Sequence, residues 1–329
     1  MPKDVLGMRA PDAPEGWAPV PEDRARLCAL PAAAVRDPAD LVAALRRDEV
    51  VLVQGISDQA HADLVLADAT MALGLLERLK VQAGYASLHG HRTSVGRYFM
   101  TVNRRDDYHF IPPHSEGTPN ADIQLGSLYC HHNTTDGGDN FLFNTDTASP
   151  AWSRLREVTT KVDLCGRQLG RRDAAMLKIV HGVSLPGDVL APGSEILEEL
   201  PAPLPGIRLY NVLAPVRPVR SRLLDRDVRV LWDNVATMDF DCAAEFMRLL
   251  QGTGLLRQPP GGADIAALDG AHARHVWRSG VRFDQLFRAR ITHRLLAGEL
   301  LLFNNLTWAH STSNWTPQSG SRQVVAAFA

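Results

Sequence analysis

Apolar residues near the start of the chain follow first a helical and then a strand spacing. Asp37 and Pro38 precede the run ADLVAALRRD, which predicts an amphipathic helix capped by Asp37 with proline at its first position. The run VVLVQGI from Val50 predicts a short buried strand. Residues 58–80 are rich in Ala and Leu without proline, so they predict a second helix.

Later in the chain, short apolar runs are separated by polar turns. IQLGSLYC from Ile123 and NFLFN from Asn140 are joined by HHNTTDGGD, which predicts a hairpin-like unit. ELLLFNN from Glu299 and RQVVAAFA from Arg322 predict two more strands around a polar loop. Residues 95–102 indicate a further strand.

The middle of the chain has a different pattern. Residues 152–161 and 239–251 have helical spacing, and VRVLWDN from Val228 predicts a strand between them. Seven prolines fall within residues 185–218, which predicts an irregular loop or lid. The prolines and charges of residues 1–30 indicate an irregular arm.

These elements favour a mainly β architecture with flanking helices (α+β), a distorted jelly roll rather than a doubly wound sheet. No linker rich in Gly and Ser divides the chain after the arm, so we expect one domain over residues 31–329, with a helical and proline-rich insertion at about residues 150–295. Neither a GxGxxG turn nor a Walker A loop is present, which weakens nucleotide-binding alternatives.

Composition excludes several classes of protein. The chain has 329 residues, 45% of them hydrophobic, and 35 Lys and Arg against 37 Asp and Glu, so it is not a disordered or strongly basic protein. We expect no nucleic-acid partner and no membrane span, and the polar N-terminus favours a cytoplasmic protein. The four cysteines are scattered without a CxxC motif and are interpreted as packing thiols: Cys28, Cys130, Cys165 and Cys242.

His114 and Glu116 form the most informative pair of polar residues. They follow Pro112 and Pro113, which disfavour helix, and in an extended segment residues two apart point to the same face. One imidazole and one carboxylate are two of the three ligands of a facial triad, which leaves open positions on an octahedral Fe(II). A zinc site of a hydrolase is a less favoured alternative, because no HExxH motif is present.

A third ligand must come from elsewhere in the chain. His310 is the best candidate, since it follows the strand ELLLFNN and is expected in a short polar loop; His293 and His275 are alternatives. Arg322 lies twelve residues after His310, on a strand expected to return beside ELLLFNN, where its guanidinium could pair with a carboxylate.

Four ordered motifs resemble the taurine/2,4-dichlorophenoxyacetate dioxygenase family, including its clavaminate-synthase-like branch. They are His114-Ser115-Glu116, Gly137-Gly138-Asp139, Gly298-Glu299 with Phe303-Asn304-Asn305 and His310, and Arg322. Glu116 stands where aspartate is commoner, and Glu299 and Asn304 also replace aspartates of the family pattern.

The resemblance implies a cupin-like double-stranded β-helix and the cofactors Fe(II), 2-oxoglutarate and O2. His114, Glu116 and His310 would bind iron, and Arg322 would bind the far carboxylate of 2-oxoglutarate. Asn140 occupies the position of a threonine that often contacts 2-oxoglutarate in the family. The implied reaction oxidises, most simply hydroxylates, an unactivated C–H bond of an amino acid or a small intermediate of natural product biosynthesis, with succinate and CO2 as coproducts. Desaturation, epoxidation and cyclisation remain open.

The residues that would contact the substrate are the least determined part of the predicted site. Family members often place such contacts shortly before the iron motif, where this chain has Arg97, Tyr98, Asn103 and Arg104. Arginines there would suit an acidic group, or they form a solvated basic stretch. A small-molecule substrate is expected, and a homo-oligomer and a catalytically silent binding protein of the same fold both remain open.

Overall fold

The computed structural model describes residues 18–35, 37–88, 92–102, 108–118, 123–202, 204–232, 239–260 and 279–329. The helices in this part of the chain are α1 (Pro38–Asp48), α2 (Gln59–Ala72), α3 (Leu76–Leu88), α4 (Arg171–His181), α5 (Asp239–Gly252) and α6 (Phe283–Leu286). The strands are β1 (Cys28–Pro31), β2 (Val50–Gln54), β3 (Ser94–Val95), β4 (Phe99–Thr101), β5 (Ile111–His114), β6 (Leu125–Asn133), β7 (Asn140–Thr145), β8 (Arg156–Asp163), β9 (Glu195–Leu200), β10 (Arg208–Pro215), β11 (Pro218–Ser221), β12 (Arg226–Arg229), β13 (Phe287–His293), β14 (Glu299–Asn304), β15 (Trp308–Thr312) and β16 (Arg322–Phe328).

Two sheets form the centre of this mixed α+β fold. The larger has the strand order β1-β2-β14-β6-β16-β4-β3, and the smaller has the order β13-β7-β15-β5. They share one hydrophobic core, to which the larger sheet contributes Leu128 and Leu301 and the smaller contributes Leu142 and Trp308. The two sheets therefore pack against each other across this core.

Both sheets are also covered on their outer faces. In β2, Val50 and Leu52 point into the core between the sheets, whereas Val51 and Val53 pack in the core formed with α1, α2 and α3. Burial on both faces explains why β2 is continuously apolar instead of alternating. On the far side, Phe143 of β7 packs against α5 and α6.

A smaller sheet, β8-β10-β9, lies in the middle of the chain. It packs with α4 around a core of its own, formed by Val162, Leu177, Val183, Ile207 and Leu209. The segment predicted to be irregular, residues 185–218, contains two strands, β9 and β10. The prediction is wrong there because the prolines lie outside β9 and only at the end of β10, where they do not interrupt the ladder.

Several predicted elements are confirmed. Helix α1 begins at Pro38, and the side chain of Asp37 accepts a 2.8 Å hydrogen bond from the Ala39 backbone N–H. Strands are found at the predicted runs that start near Val50, Glu299 and Arg322, and α5 coincides with the helix predicted over residues 239–251.

The helical patterns of residues 58–80 and 152–161 led to wrong predictions. The single helix predicted over residues 58–80 is two helices, because Gly74 adopts a positive φ of 68° between α2 and α3. Residues 152–161, predicted as a helix, form a 3-10 turn to Arg154 and then β8. The β-branched residues of β8 pair along their length with β10, so tertiary pairing outweighs the helical spacing.

Pairing of distant strands also corrects the predicted connections. The runs from Ile123 and Asn140 are not a hairpin, because β6 lies in the larger sheet and β7 in the smaller one. Residues 95–102 contain two short strands, β3 and β4, separated by a turn at Gly96. The irregular arm predicted for residues 1–30 ends earlier than expected, since β1 begins at Cys28 and pairs with β2; residues 1–17 lie outside the described part.

Among the helices that the structure describes, none combines the length and the apolar character that crossing a membrane requires.

We predict that Leu301→Ala lowers the free energy of unfolding by about 2–5 kcal/mol, because it leaves a cavity between the two sheets. Urea denaturation measures the change. Leu296→Ala is the matched control, since this leucine is 56% exposed, and its effect should stay within about 0.5 kcal/mol. Equal effects of the two substitutions would contradict the assignment of the core.

Candidate metal centre

His114 and His310 are brought together by strand pairing. β5 pairs antiparallel with β15, and in this register His114 lies directly opposite His310, with 4.4 Å between the ring centroids. β5 is the last strand of the smaller sheet, so Pro112 and Pro113 can occupy it without breaking a second ladder. Strand β5 can therefore contain both prolines and His114.

One ring nitrogen of His114 is held by its own strand. Its Nδ1 lies 2.9 Å from the carbonyl oxygen of Pro112, which can only accept a hydrogen bond, so Nδ1 carries the proton. This leaves the lone pair on Nε2, the atom nearest Glu116. A carbonyl partner of this kind orients metal-binding imidazoles in many sites.

Glu116 is positioned by a buried amide. Asn305, which follows β14, accepts a 3.0 Å hydrogen bond from the Glu116 backbone N–H and donates to the Glu116 and Ile123 carbonyl oxygens at 2.9 Å each. Ser115 also donates its backbone N–H to Leu231 at 2.7 Å. The backbone that carries Glu116 is therefore fixed from two sides.

The three side chains converge on one point. The Oε1 atom of Glu116 lies 3.8 Å from Nε2 of His114 and 3.9 Å from Nε2 of His310, and one donor atom from each residue lies within 4.8 Å of the others. Two imidazole nitrogens and one carboxylate oxygen are the donor set of a facial triad, which suits Fe(II) and leaves coordination positions open for other ligands.

The local environment keeps two of these groups in the form that binds metal. Burial lowers the pKa of His310 to about 3, and the positive charge of Arg92 adds to this effect. Burial alone would raise the pKa of Glu116, but its contact with His114 and the charge of Arg92 outweigh burial and leave the pKa well below its usual range. At neutral pH His310 is a neutral imidazole and Glu116 is a carboxylate.

Apolar residues form the wall beside this cluster. The ring of His310 lies 5.2 Å from the ring of Phe303 and 6.3 Å from that of Phe328. Both phenylalanines belong to the core between the two sheets. The candidate cluster thus borders the apolar core between the two sheets on one side.

Arg322 is a partly buried cation whose Nε atom lacks a hydrogen-bond partner among the described residues. Its Nε is buried and makes no hydrogen bond to any residue that the structure describes. Its guanidinium lies 5.4 Å from the Trp315 ring. Gly138 closes tightly over it, since a Cβ atom there would lie 3.1 Å from Cδ and Nε of Arg322. Burial lowers the pKa of Arg322 to about 10, so it stays charged at neutral pH and offers donors to an anion.

Asn140 is a buried residue of β7 that lies on the same face of the smaller sheet as His310. It pairs with Thr312, two residues after His310 on β15, so Thr312 and His310 point to one face about 7 Å apart. Its Oδ1 lacks a hydrogen-bond partner in the described part of the chain. Asn140 also lies two residues beyond Gly138, which contacts Arg322. Unpaired polar atoms thus occur at both Asn140 and Arg322.

Some details of the predicted site require correction. His310 lies within β15 instead of in a loop, and the strand of Arg322 does not pair with β14, because β6 separates them. The alternative ligand His293 is engaged elsewhere, with Nε2 2.8 Å from Oε2 of Glu299. His275, the other alternative, lies outside the described residues.

Of the candidate substrate residues, Arg97 and Tyr98 are described by the structure, and neither lies at the triad. Arg97 is exposed with its guanidinium 5.1 Å from the Tyr98 ring, and Tyr98 packs in the core beneath the helices, on the opposite face of the larger sheet. Asn103 and Arg104 lie outside the described residues.

The structure adds two residues that the motifs did not suggest as functional. Asn305 belongs to a sequence motif but had no assigned role, although it positions Glu116. Arg92 places its guanidinium 3.7 Å from Oε1 of Glu116. Neither role has a signal in the sequence, because each depends on residues far away in the chain.

We predict that Asn305→Ala removes three hydrogen bonds and lowers the free energy of unfolding by about 3 kcal/mol. Because the Glu116 backbone is then released, the affinity for Mn(II), followed by the EPR signal of the free ion, should fall about 10–100-fold. Asn211→Ala, in the sheet of β8, β9 and β10, is the control and should leave Mn(II) affinity unchanged. Unchanged affinity in Asn305→Ala would contradict the positioning role.

The low pKa of His310 predicts a loss of stability in weak acid. Between pH 6.5 and pH 3 the unfolded chain protonates this imidazole while the folded metal-free protein does not, so stability falls as pH is lowered. From pH 7 to pH 5 this contribution is about 2 kcal/mol, and His310→Gln should remove it. Glu116 does not interfere, because its carboxyl is ionised in both states over that range. Urea denaturation at pH 7 and pH 5 measures the change in the free energy of unfolding for the wild type and for His310→Gln. The same change in both proteins would refute this explanation.

No model of a known protein family matches the chain, and no curated protein sequence matches it. Among solved structures, AAD-2 in complex with Mn(II) and N-oxalylglycine matches with 10% identity and a TM-score of 0.37, over 88% of this chain and 86% of its own. A Burkholderia xenovorans protein described as an alpha-ketoglutarate dependent 2,4-D dioxygenase has 10% identity and a TM-score of 0.39, and the match covers 93% of this chain and 94% of that one. PvcB from Pseudomonas aeruginosa has 12% identity and a TM-score of 0.38, and the match covers 89% of this chain and 80% of PvcB.

Proposed function

We propose that this chain is an Fe(II)- and 2-oxoglutarate-dependent oxygenase of the taurine dioxygenase type. The observation that carries the proposal is the convergence of His114, Glu116 and His310, whose donor atoms lie within 4.8 Å of one another at the edge of an apolar inter-sheet space. Softer thiolate ligands are missing from this set, and two imidazoles with one carboxylate suit Fe(II) with open positions.

Arg322 and Asn140 support 2-oxoglutarate as the co-substrate. A dicarboxylate that is anchored at the metal by its keto acid end needs a partner for its far carboxylate. Arg322 has a buried Nε whose N–H is unpaired among the described residues. The amide N–H2 group of Asn140 donates one hydrogen bond to the His293 carbonyl oxygen at 3.5 Å, and its second N–H can serve an anion. Asn140 lies opposite Thr312, two residues along β15 from His310, and Gly138, two residues before Asn140, packs against Arg322.

When bound there, Fe(II) and 2-oxoglutarate supply the oxidation of an unactivated C–H bond by O2, with succinate and CO2 as coproducts. The residues of this chain contribute binding, orientation and a dry environment. His114, Glu116 and His310 hold the metal, Arg322 and Asn140 hold the far carboxylate, and Phe303 and Phe328 exclude water. Hydroxylation is the simplest outcome, and desaturation, epoxidation and cyclisation use the same site.

The fold that we propose for this function is a single double-stranded β-helix domain over residues 31–329. The two facing sheets supply the jelly roll, with the metal site between them. The insertion, expected at about residues 150–295, includes the separate sheet β8-β10-β9 and its own small core, but it ends before Phe287, because β13 belongs to the smaller central sheet. A small-molecule substrate would enter beside the metal ligands.

Anaerobic titration with Fe(II) and 2-oxoglutarate tests the proposal. The wild type should develop the weak visible charge-transfer band of a chelated keto acid. Arg322→Ala should raise the 2-oxoglutarate concentration needed for half of this band by about 10–100-fold, because a charge-assisted pair is lost. Arg220→Ala is the control, since Arg220 is exposed and pairs with Asp225 on the surface, and it should titrate as the wild type.

His114→Ala and Glu116→Ala should abolish the band while circular dichroism shows a folded protein. A folded wild type that forms no band would contradict the proposal and favour a binding protein without catalysis. Turnover with zinc and without 2-oxoglutarate would instead indicate a hydrolase.

A further inference from the structure

Strand β6 contains an irregularity near its end, in the segment that precedes the glycine turn. Val324 of β16 pairs with Cys130 of β6. The preceding residue of β16, Gln323, pairs with His132, so His131 is an extra residue of β6. This is a β-bulge, in which two residues of one strand oppose one residue of its neighbour. Bulges are common beside functional sites, where they change the direction in which a side chain points.

The bulge turns Asn133 toward the core between the two central sheets. Before the bulge, Cys130 points into this core, whereas Tyr129 packs beneath the helices on the other face of the sheet. Regular alternation would place Asn133 on the face of Tyr129. Because of the extra residue, Asn133 instead pairs with Arg322, which lies on the inner face of β16 with Val324.

A hydroxyl group fixes the orientation of the Asn133 amide. Thr135 donates to Oδ1 of Asn133 at 2.9 Å and shares this proton with the Gly137 carbonyl oxygen at 3.0 Å. Nδ2, the other end of the amide, is buried and makes no hydrogen bond to any described residue. The buried Nε of Arg322 is unpartnered in the same way. Two donors without acceptors therefore occupy opposite positions on neighbouring strands.

This pair of donors indicates the kind of ligand that the position binds. Buried donors without a partner are uncommon, because a buried polar group that makes no hydrogen bond destabilises the folded protein. A guanidinium beside a neutral amide favours an anion that has at least two acceptor atoms. A carboxylate satisfies both requirements, since its two oxygens can accept from Arg322 and Asn133 at the same time.

We propose that Asn133 donates a hydrogen bond to the far carboxylate of 2-oxoglutarate, beside Arg322, and so makes the site selective for a dicarboxylate co-substrate. The inference rests on the proposed oxygenase function. Asn133 belongs to the larger central sheet and Asn140 to the smaller one, so the carboxylate would be bound from both sheets. A keto acid without this carboxylate would leave the buried donors unpaired, and such a site rejects it.

The test compares two keto acids on the full chain loaded with Mn(II). 2-Oxovalerate has the carbon chain of 2-oxoglutarate, with a methyl group in place of the far carboxylate. Isothermal titration calorimetry measures the Kd of each keto acid for wild type, Asn133→Leu, Asn133→Asp and Gln323→Leu. Gln323 is the matched control, because its exposed amide follows Arg322 on the opposite face of β16. Circular dichroism and the EPR signal of free Mn(II) show that each variant is folded and loaded.

We expect Asn133→Leu to raise the Kd for 2-oxoglutarate about 10–100-fold, because a hydrogen bond to a charged group is lost. The Kd for 2-oxovalerate should stay at the wild-type value. Asn133→Asp keeps the acceptor for Thr135 but places a second anion beside Arg322, so its loss of 2-oxoglutarate affinity should be at least as large. Gln323→Leu should bind both keto acids as the wild type does.

Three outcomes would overturn the proposal while 2-oxoglutarate still binds to the wild type. They are wild-type affinity for 2-oxoglutarate in both Asn133 variants, an equal loss for the two keto acids, and the same loss in Gln323→Leu. The second would show that Asn133 only maintains the structure of the site. A wild type that takes up Mn(II) but binds neither keto acid would contradict the oxygenase proposal itself, and this inference with it.

Discussion

The pairing of β5 with β15 is the constraint on which the candidate site depends. His114 and His310 are 196 residues apart in the sequence, yet the antiparallel register sets them opposite each other at the edge of the smaller sheet. Glu116 joins them only because Asn305 binds the backbone on both sides of it. A one-residue shift of this register would turn one imidazole to the other face of the sheet and separate the three side chains.

The two-sheet core determines the chemistry of these residues as well as their position. Burial keeps His310 neutral at neutral pH. The Nε atom of Arg322 is buried and has no hydrogen-bond partner among the described residues, and the partly buried guanidinium of Arg92 lies 3.7 Å from Glu116. Two partly buried cations of this kind favour anionic ligands.

Much of the candidate site could be predicted from the sequence because its residues lie in short motifs. The His-x-Glu pair, the glycine turn and the positions of His310 and Arg322 carry signals of type and spacing, and the structure gathers the three metal-ligand candidates. Arg92 and Asn305 have no such signal, since their roles arise from contacts across 24 and 189 residues. In the fold, β8 was missed because pairing with β10 outweighs its helical spacing, and β6 and β7 were wrongly joined because chain proximity does not show which sheet a strand enters.

The central claim is that one metal ion is held jointly by His114, Glu116 and His310. Anomalous X-ray diffraction from crystals grown with Mn(II), recorded at the manganese edge, tests it most directly. The account predicts one strong anomalous peak within bonding distance of Nε2 of both histidines and of a Glu116 oxygen, and no such peak in Glu116→Ala. A well-ordered wild-type structure without a peak there, or with its metal bound at other residues, would contradict it.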